Sequence, residues 1–330
     1  MVSKAYIILK WWRNWKTFPV LSWVRAAALY RAGKFQQAEK LYIRGLDRHY
    51  DHPAHLCARL DLAYCLFRNG KLEEAEKELK FVVARSQSSR EAVLRLARLQ
   101  MWTGRSLDAA WTLKRAKPKA NDTEFLALLL FAVLDNGGPR HLLDETVKFL
   151  GALPEEERNN AKVQAVMSRL KIVTGDRAKG LTELESVAIK NDAPFEAILL
   201  FAESLLEDAK VAHARLELRR ALSLEANHPR VLSLMAEAYL KSGPYYNPEY
   251  ASQLATSACQ NSNWLSAREM HVLAESYYHT NDSVSALIMA RKAKNTGSKL
   301  MGEYRYVREL DQLIENLGQV QTAWVKSKVL

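Results

Sequence analysis

Glycine and proline are scarce in these 330 residues, at 13 and 9, which argues against a turn-rich sheet protein and for long helices. Cysteine is scarcer still, limited to Cys57, Cys65 and Cys259. On one helix the first two would stand about 12 Å apart, beyond the reach of a disulfide. The three thiols therefore read as buried small hydrophobes of a reducing compartment, and the sequons at Asn121 and Asn281 as chance matches. No apolar run approaches the roughly 18 to 20 residues of a membrane-spanning helix. The N-terminal run from Ala5 to Leu9 stops at Lys10, short of a signal-peptide core, and no small-residue cleavage site comes after it. The expectation is a cytoplasmic protein.

Catalytic signatures are missing too. There is no Gly-rich phosphate loop, no His-Glu-x-x-His and no Gly-x-Ser-x-Gly elbow. His49, His52, His55 and Cys57 are the only grouping of potential metal ligands, but they straddle Pro53 in a connection between helices. That placement is unlike the anchored pairs of zinc motifs, so these imidazoles are expected in an exposed linker. Glu155-Glu156-Glu157 after Pro154 reads as the acidic first turn of a helix. The expectation is a non-enzyme with no cofactor, no metal and no small-molecule substrate.

What is present is apolar content, 48%, and an uneven positive charge. Residues 1–120 hold 24 Lys+Arg against 10 Asp+Glu, a net of +14, and residues 121–330 hold 24 against 27, a net of −3. The first third thus carries the whole basic excess, which fits an acidic protein partner, an anionic membrane surface or nucleic acid.

A repeated unit organises most of the chain. An apolar helix reaches Gly, Ala or Asn at a tight turn and a second helix follows, with the turns at Gly33, Gly70, Gly104, Gly138, Gly175, Ala209, Gly243 and Asn281. Their spacings are 37, 34, 34, 37, 34, 34 and 38 residues. Small residues recur where the first helix must approach its neighbour (Ala26, Ala63, Ala97, Ala202, Ala236, Ala274) and again on the second helix (Ala38, Ala75, Ala109, Ala214, Ala251, Ala286). Three places depart from the pattern: the fourth unit lacks the small residue on its second helix, the fifth has Gly180 there, and the seventh carries about three extra residues in Gly243-Pro244-Tyr245-Tyr246-Asn247-Pro248. Such a period and such small positions resemble the tetratricopeptide repeat family.

The resemblance covers roughly residues 20–298. It implies an all-α fold, a right-handed α-solenoid of about eight helix-turn-helix repeats with terminal capping helices. Expected domains are residues 1–18, a cationic Trp-rich amphipathic helix; 19–300, the solenoid; and 301–330, a capping helix and tail with an apolar stripe of Val307, Leu310, Ile314, Leu317 and Trp324.

In that family the first helices line a concave groove. Carried over, the N-terminal groove would present Tyr30, Arg31, Tyr64, Phe67, Arg68, Arg95, Arg98 and Trp102. Guanidinium groups pair with carboxylate or phosphate, and aromatic faces add apolar contact. Toward the other end the groove would present Glu203, Glu207, Glu237 and Glu275 with Arg230, Lys241 and Arg268 between them, a polarity able to orient an extended peptide. Before the first repeat, in a segment that also holds Trp11, Ala5, Ile8, Leu9, Trp12 and Trp15 share one helical face, and Ser3, Lys10, Arg13, Asn14 and Thr17 the other. That segment fits either a cap over the open end of the array or contact with a membrane headgroup layer, or else a disordered arm.

The function expected is a scaffold or adaptor that holds a segment of a protein partner in its groove, with the N-terminal helix bringing it to the inner face of a membrane to serve an assembly or export machine. The alternative is RNA or another polyanion bound by the basic third.

Overall fold

The computed structural model describes residues 20–86, 89–116, 122–136, 140–300 and 306–329. The expectations for Lys10, Trp11, Trp12, Arg13 and Trp15, and for the turn at Gly138, lie outside the described residues. Among those residues there are eighteen helices and no strand. They run in pairs: α1 Leu21–Arg31 with α2 Phe35–Arg48, α3 His55–Arg68 with α4 Leu72–Arg85, and α5 Arg90–Trp102 with α6 Ser106–Arg115. Next come α7 Thr123–Asn136 with α8 Arg140–Gly151, the single turn α9 Glu155–Arg158, and α10 Ala161–Thr174 with α11 Arg177–Ala188. The series ends with α12 Phe195–Glu207 and α13 Val211–Leu224, α14 Pro229–Leu240 and α15 Pro248–Asn261, α16 Ala267–His279 and α17 Ser283–Leu300, and α18 Val307–Val329. The chain is an α-solenoid of helical repeats.

One turn geometry recurs. Gly33, Gly70, Gly104, Gly175, Ala209, Gly243 and Asn281 all adopt positive φ, at the turn positions that the spacing predicts. In five of them the turn residue donates to the carbonyl three back, and the residue after it reaches the carbonyl five back, as in Lys34 N–H to Leu29 O at 2.9 Å, Lys71 to Leu66 at 2.9 Å and Asp282 to Tyr277 at 2.9 Å. This left-handed cap satisfies carbonyls that the end of a helix leaves without partners. The extra residues of the seventh unit are equally ordered: Asn247 N–H donates to Tyr239 O at 2.9 Å, and the Asn247 side chain caps α15 by accepting from Tyr250 N–H.

The predicted small positions are where helices meet, for all twelve alanines named above are buried. At Gly180 even alanine is too large, because a Cβ there would come within 2.7 Å of Ser168 O. The terminal stripe packs as expected, with Val307, Leu310, Ile314 and Leu317 against Ala286, Ala290 and Ala293 of α17; the Trp324 side chain lies outside what is described. Two expectations need correction. Cys65 and Cys259 are buried but Cys57 is exposed. His52 is not in an exposed linker: it is buried, with its ring edge-on to Trp23 at 5.3 Å and its Nδ1 accepting from Ala54 N–H.

By contact density the chain separates into two compact units, up to Leu99 and from Gln100 onward.

Candidate functional site

In the first unit, α1, α2 and α3 bring four rings together. Tyr30 lies 5.2 Å from Tyr64 and 6.0 Å from Phe35, Phe35 lies 5.7 Å from Tyr64, and Phe67 lies 6.3 Å from Tyr64. Arg68 is exposed, sits 4.8 Å over Phe35, and donates to the Tyr64 hydroxyl at 3.1 Å. Arg95, 5.9 Å over Tyr64, is anchored by Glu91 and by the Leu60 carbonyl at 3.0 Å. Five of the predicted groove residues, Tyr30, Tyr64, Phe67, Arg68 and Arg95, therefore form one cluster, and Arg31 and Arg98 are exposed on the same helices α1 and α5. Phe35 belongs to the cluster although sequence reasoning omitted it. As the first residue of a second helix it lies outside the register of the first-helix positions.

Trp102 is placed elsewhere. It belongs to the second unit, where its indole N–H donates to Asn261 O at 2.9 Å and its ring lies 4.6 Å from His228, itself 4.8 Å from Phe195. Two residues on, the turn at Gly104 lies so close to the α15–α16 connection that a Cβ there would meet the Ser266 backbone Cα at 2.9 Å. The turn of the third repeat thus touches the connection between the seventh and eighth, and the second unit returns on itself.

Within this unit Arg169, Glu203, Arg268 and Glu269 of the first helices are buried. Glu203 is 3% exposed and is surrounded by three guanidiniums: Arg230 at 2.8 Å, Arg268 at 3.1 Å and Arg169 at 3.9 Å. Arg230 also pairs with Asp135, Arg268 with Glu237 at 3.3 Å, and Arg169 with Glu207 at 2.6 Å. The expectation of an acidic binding surface is corrected at Glu203 and Glu237, whose charges are met by Arg230 and Arg268; Glu207 is exposed and pairs with Arg169 and Arg177. Burial by itself would raise the pKa of Glu203, but the guanidiniums outweigh it and hold the carboxyl well below the usual range. Removing charges from water in this way is tolerated only because each has partners.

Glu269 is the exception in that network. It lines a cavity of about 50 Å³ together with Asp135, His228, Arg230, Arg268 and Tyr306, and its Oε2 has no hydrogen-bond partner among the described residues. Burial pushes its pKa up to about 7, against the pull of Arg230 and Arg268. A raised carboxyl pKa stabilises the fold fully below the unfolded value of 4.5, and that contribution is lost as pH rises through about 7. Glu269→Gln should therefore raise the midpoint of thermal unfolding at pH 8, by at most about 3 kcal/mol of stability, and change it little at pH 4. An equal gain at both pH values would show that the carboxyl is not protonated in the fold.

The model of the tetratricopeptide repeat family matches residues 24–80 and 60–122. No curated protein matches the chain. Among solved structures the chain is similar to a tetratricopeptide repeat protein from Parabacteroides merdae, at 11% identity and a TM-score of 0.49, over 90% of this chain and 97% of that one. It is also similar to the TPR2AB domain of yeast Sti1, solved as a complex with pHSP90, at 14% identity and a TM-score of 0.34, over 90% of this chain and 97% of that one. The tetratricopeptide repeat match thus covers residues 24–122, and the left-handed turn found there recurs at a similar spacing as far as Asn281.

Proposed function

We propose that the protein is an interaction scaffold whose first unit binds an acidic, extended segment of a protein partner on the cluster of Tyr30, Phe35, Tyr64, Phe67 and Arg68. The observation that carries this reading is the exposed guanidinium of Arg68, propped over Phe35 and beside Tyr64. A cation positioned on rings loses little side-chain freedom when a carboxylate arrives, and aromatic and arginine anchors dominate the energetics of interfaces. The basic excess of residues 1–120, a net of +14, supplies attraction of the same sign. In the second unit the corresponding charges are already paired with one another, which leaves less there for an acidic segment to gain.

The test is affinity purification of the full chain beside an Arg31→Glu/Arg68→Glu variant, at low and moderate salt. Arg95 is spared because it bonds to the Leu60 carbonyl. A protein partner retained by the wild type at moderate salt, and bound at least about thirtyfold more weakly by the variant, is the expected result. Nucleic acid recovered at low salt and stripped as salt rises would replace this reading with polyanion binding.

A further inference from the structure

The irregular seventh repeat builds a second aromatic surface, separate from the first-unit cluster. Its extra residues carry Tyr245 and Tyr246, 38% and 45% exposed, and α15 and α16 add Tyr250 and Tyr278, each 42% exposed. An exposed patch of large rings is unusual on a soluble protein unless something docks there. The loop that carries it is held in place by the Asn247 N–H to Tyr239 O bond and by the Asn247 cap on α15. The rings are fixed as well. Tyr250 stands edge-on to Tyr239 at 4.8 Å, and Tyr246 edge-on to His279 at 5.9 Å with its hydroxyl 3.2 Å from the His279 Nδ1.

Arg215, on α13, lies within this patch. Its guanidinium is 4.0 Å over Tyr245 and 4.7 Å over Tyr239, and donates to the Tyr239 hydroxyl at 2.8 Å. No carboxylate pairs with it among the described residues, and its Nε–H is buried without a hydrogen-bond partner. The arginines of the inner network show the contrast: Arg169, Arg230 and Arg268 each have carboxylates within ion-pair distance.

We infer that the patch formed by Tyr239, Tyr245, Tyr246, Tyr250 and Arg215 binds a proline-containing extended segment of a protein, with an acidic residue of that segment on Arg215. Rings that meet edge to face leave apolar walls with hydroxyls along their rims. A polyproline-type helix fits such walls, since it is extended before binding and its carbonyls accept hydrogen bonds from tyrosine hydroxyls. The carboxylate supplies the counter-charge that Arg215 lacks. Single-stranded nucleic acid fits less well, because it needs stackable ring faces and a track of cations rather than one guanidinium among the rings.

The experiment uses the full chain and a short labelled peptide of alternating proline and glutamate, with binding followed by fluorescence anisotropy. Comparison peptides replace every proline with alanine or every glutamate with glutamine, and an oligouridine is the nucleic-acid probe. The expected result is saturable binding of the proline–glutamate peptide, weaker by about tenfold or more for either comparison peptide and for Tyr245→Ser/Tyr246→Ser or Arg215→Gln. The first unit is read as a site for acidic segments too, so the variants assign the site: binding lost from Arg31→Glu/Arg68→Glu but kept in Arg215→Gln would place the peptide on the first unit and overturn the inference. The altered tyrosines are exposed, so an unchanged thermal midpoint is expected to accompany the loss of binding. Equal binding of the alanine peptide, tighter binding of oligouridine, or full affinity in Arg215→Gln would each overturn it.

Discussion

Glu203→Ala should destabilise the second unit by roughly 3–5 kcal/mol, one of the two largest effects expected in the chain. The carboxylate lies between Arg230, Arg268 and Arg169. Its removal leaves three guanidiniums facing one another away from water, and the lost Coulomb attraction is compounded by mutual repulsion. An exposed pair provides the control: Glu145, 2.6 Å from Lys114 at the surface, can be replaced by alanine at a cost below about 1 kcal/mol. The difference between wild type and Glu203→Ala should also depend on pH. A carboxyl held below its usual pKa contributes stability that is present above the unfolded value of 4.5 and lost as pH falls through the folded one. The gap should therefore be constant near neutrality and narrow only in acid. Denaturant unfolding at pH 7 and pH 3 checks both parts, and a cost no larger than that of Glu145→Ala would mean that Glu203 faces water.

Gly104→Ala should cost more than Gly70→Ala by about 2 kcal/mol, although the two turns look alike in sequence. Both glycines have left-handed φ, 70° and 78°, where any side chain is strained by about 1 kcal/mol. Around Gly70 there is open space, and a methyl group meets nothing within 4 Å. At Gly104 it would meet the backbone of Ser266 at 2.9 Å, which cannot move aside as a flexible side chain would. The added cost measures the contact by which the third repeat closes on the connection before the eighth. Equal effects in thermal unfolding would mean that this contact is absent in solution.

The parts of the fold legible in the sequence are those set by local spacing. The turn at Lys34, Lys71 or Asp282 needs only a left-handed residue before it, and the alanines at Ala38, Ala75 and Ala286 need only room for one neighbouring helix. The closure was not legible, because Trp102 and Asn261 are 159 residues apart and no period links them. Whether Arg230 or Arg268 faces a partner or Glu203 depends on that closure, and spacing alone predicts an open face. A signal was present all the same. In α7 and α12, residues 125–130 and 197–206 are buried without interruption, as expected for helices covered on every side rather than on one stripe. The first-unit cluster was legible apart from Phe35, because Tyr30, Tyr64 and Arg68 share a register on successive first helices. The aromatic surface at Tyr245 and Tyr246 showed only as an irregularity in spacing, since it takes the fold to bring Arg215 beneath it.

The measurement that bears most directly on the account is amide hydrogen exchange of the wild type and Gly104→Ala, resolved by segment. If the second unit is closed around a buried ionic network, α10, α12, α14 and α16 open together, and the substitution should speed exchange in all four by a similar factor while leaving α1 and α3 unchanged. Faster exchange confined to the segments around residues 104 and 266, with α10 and α12 unaffected, would contradict it and return the inner face to the role of an open groove.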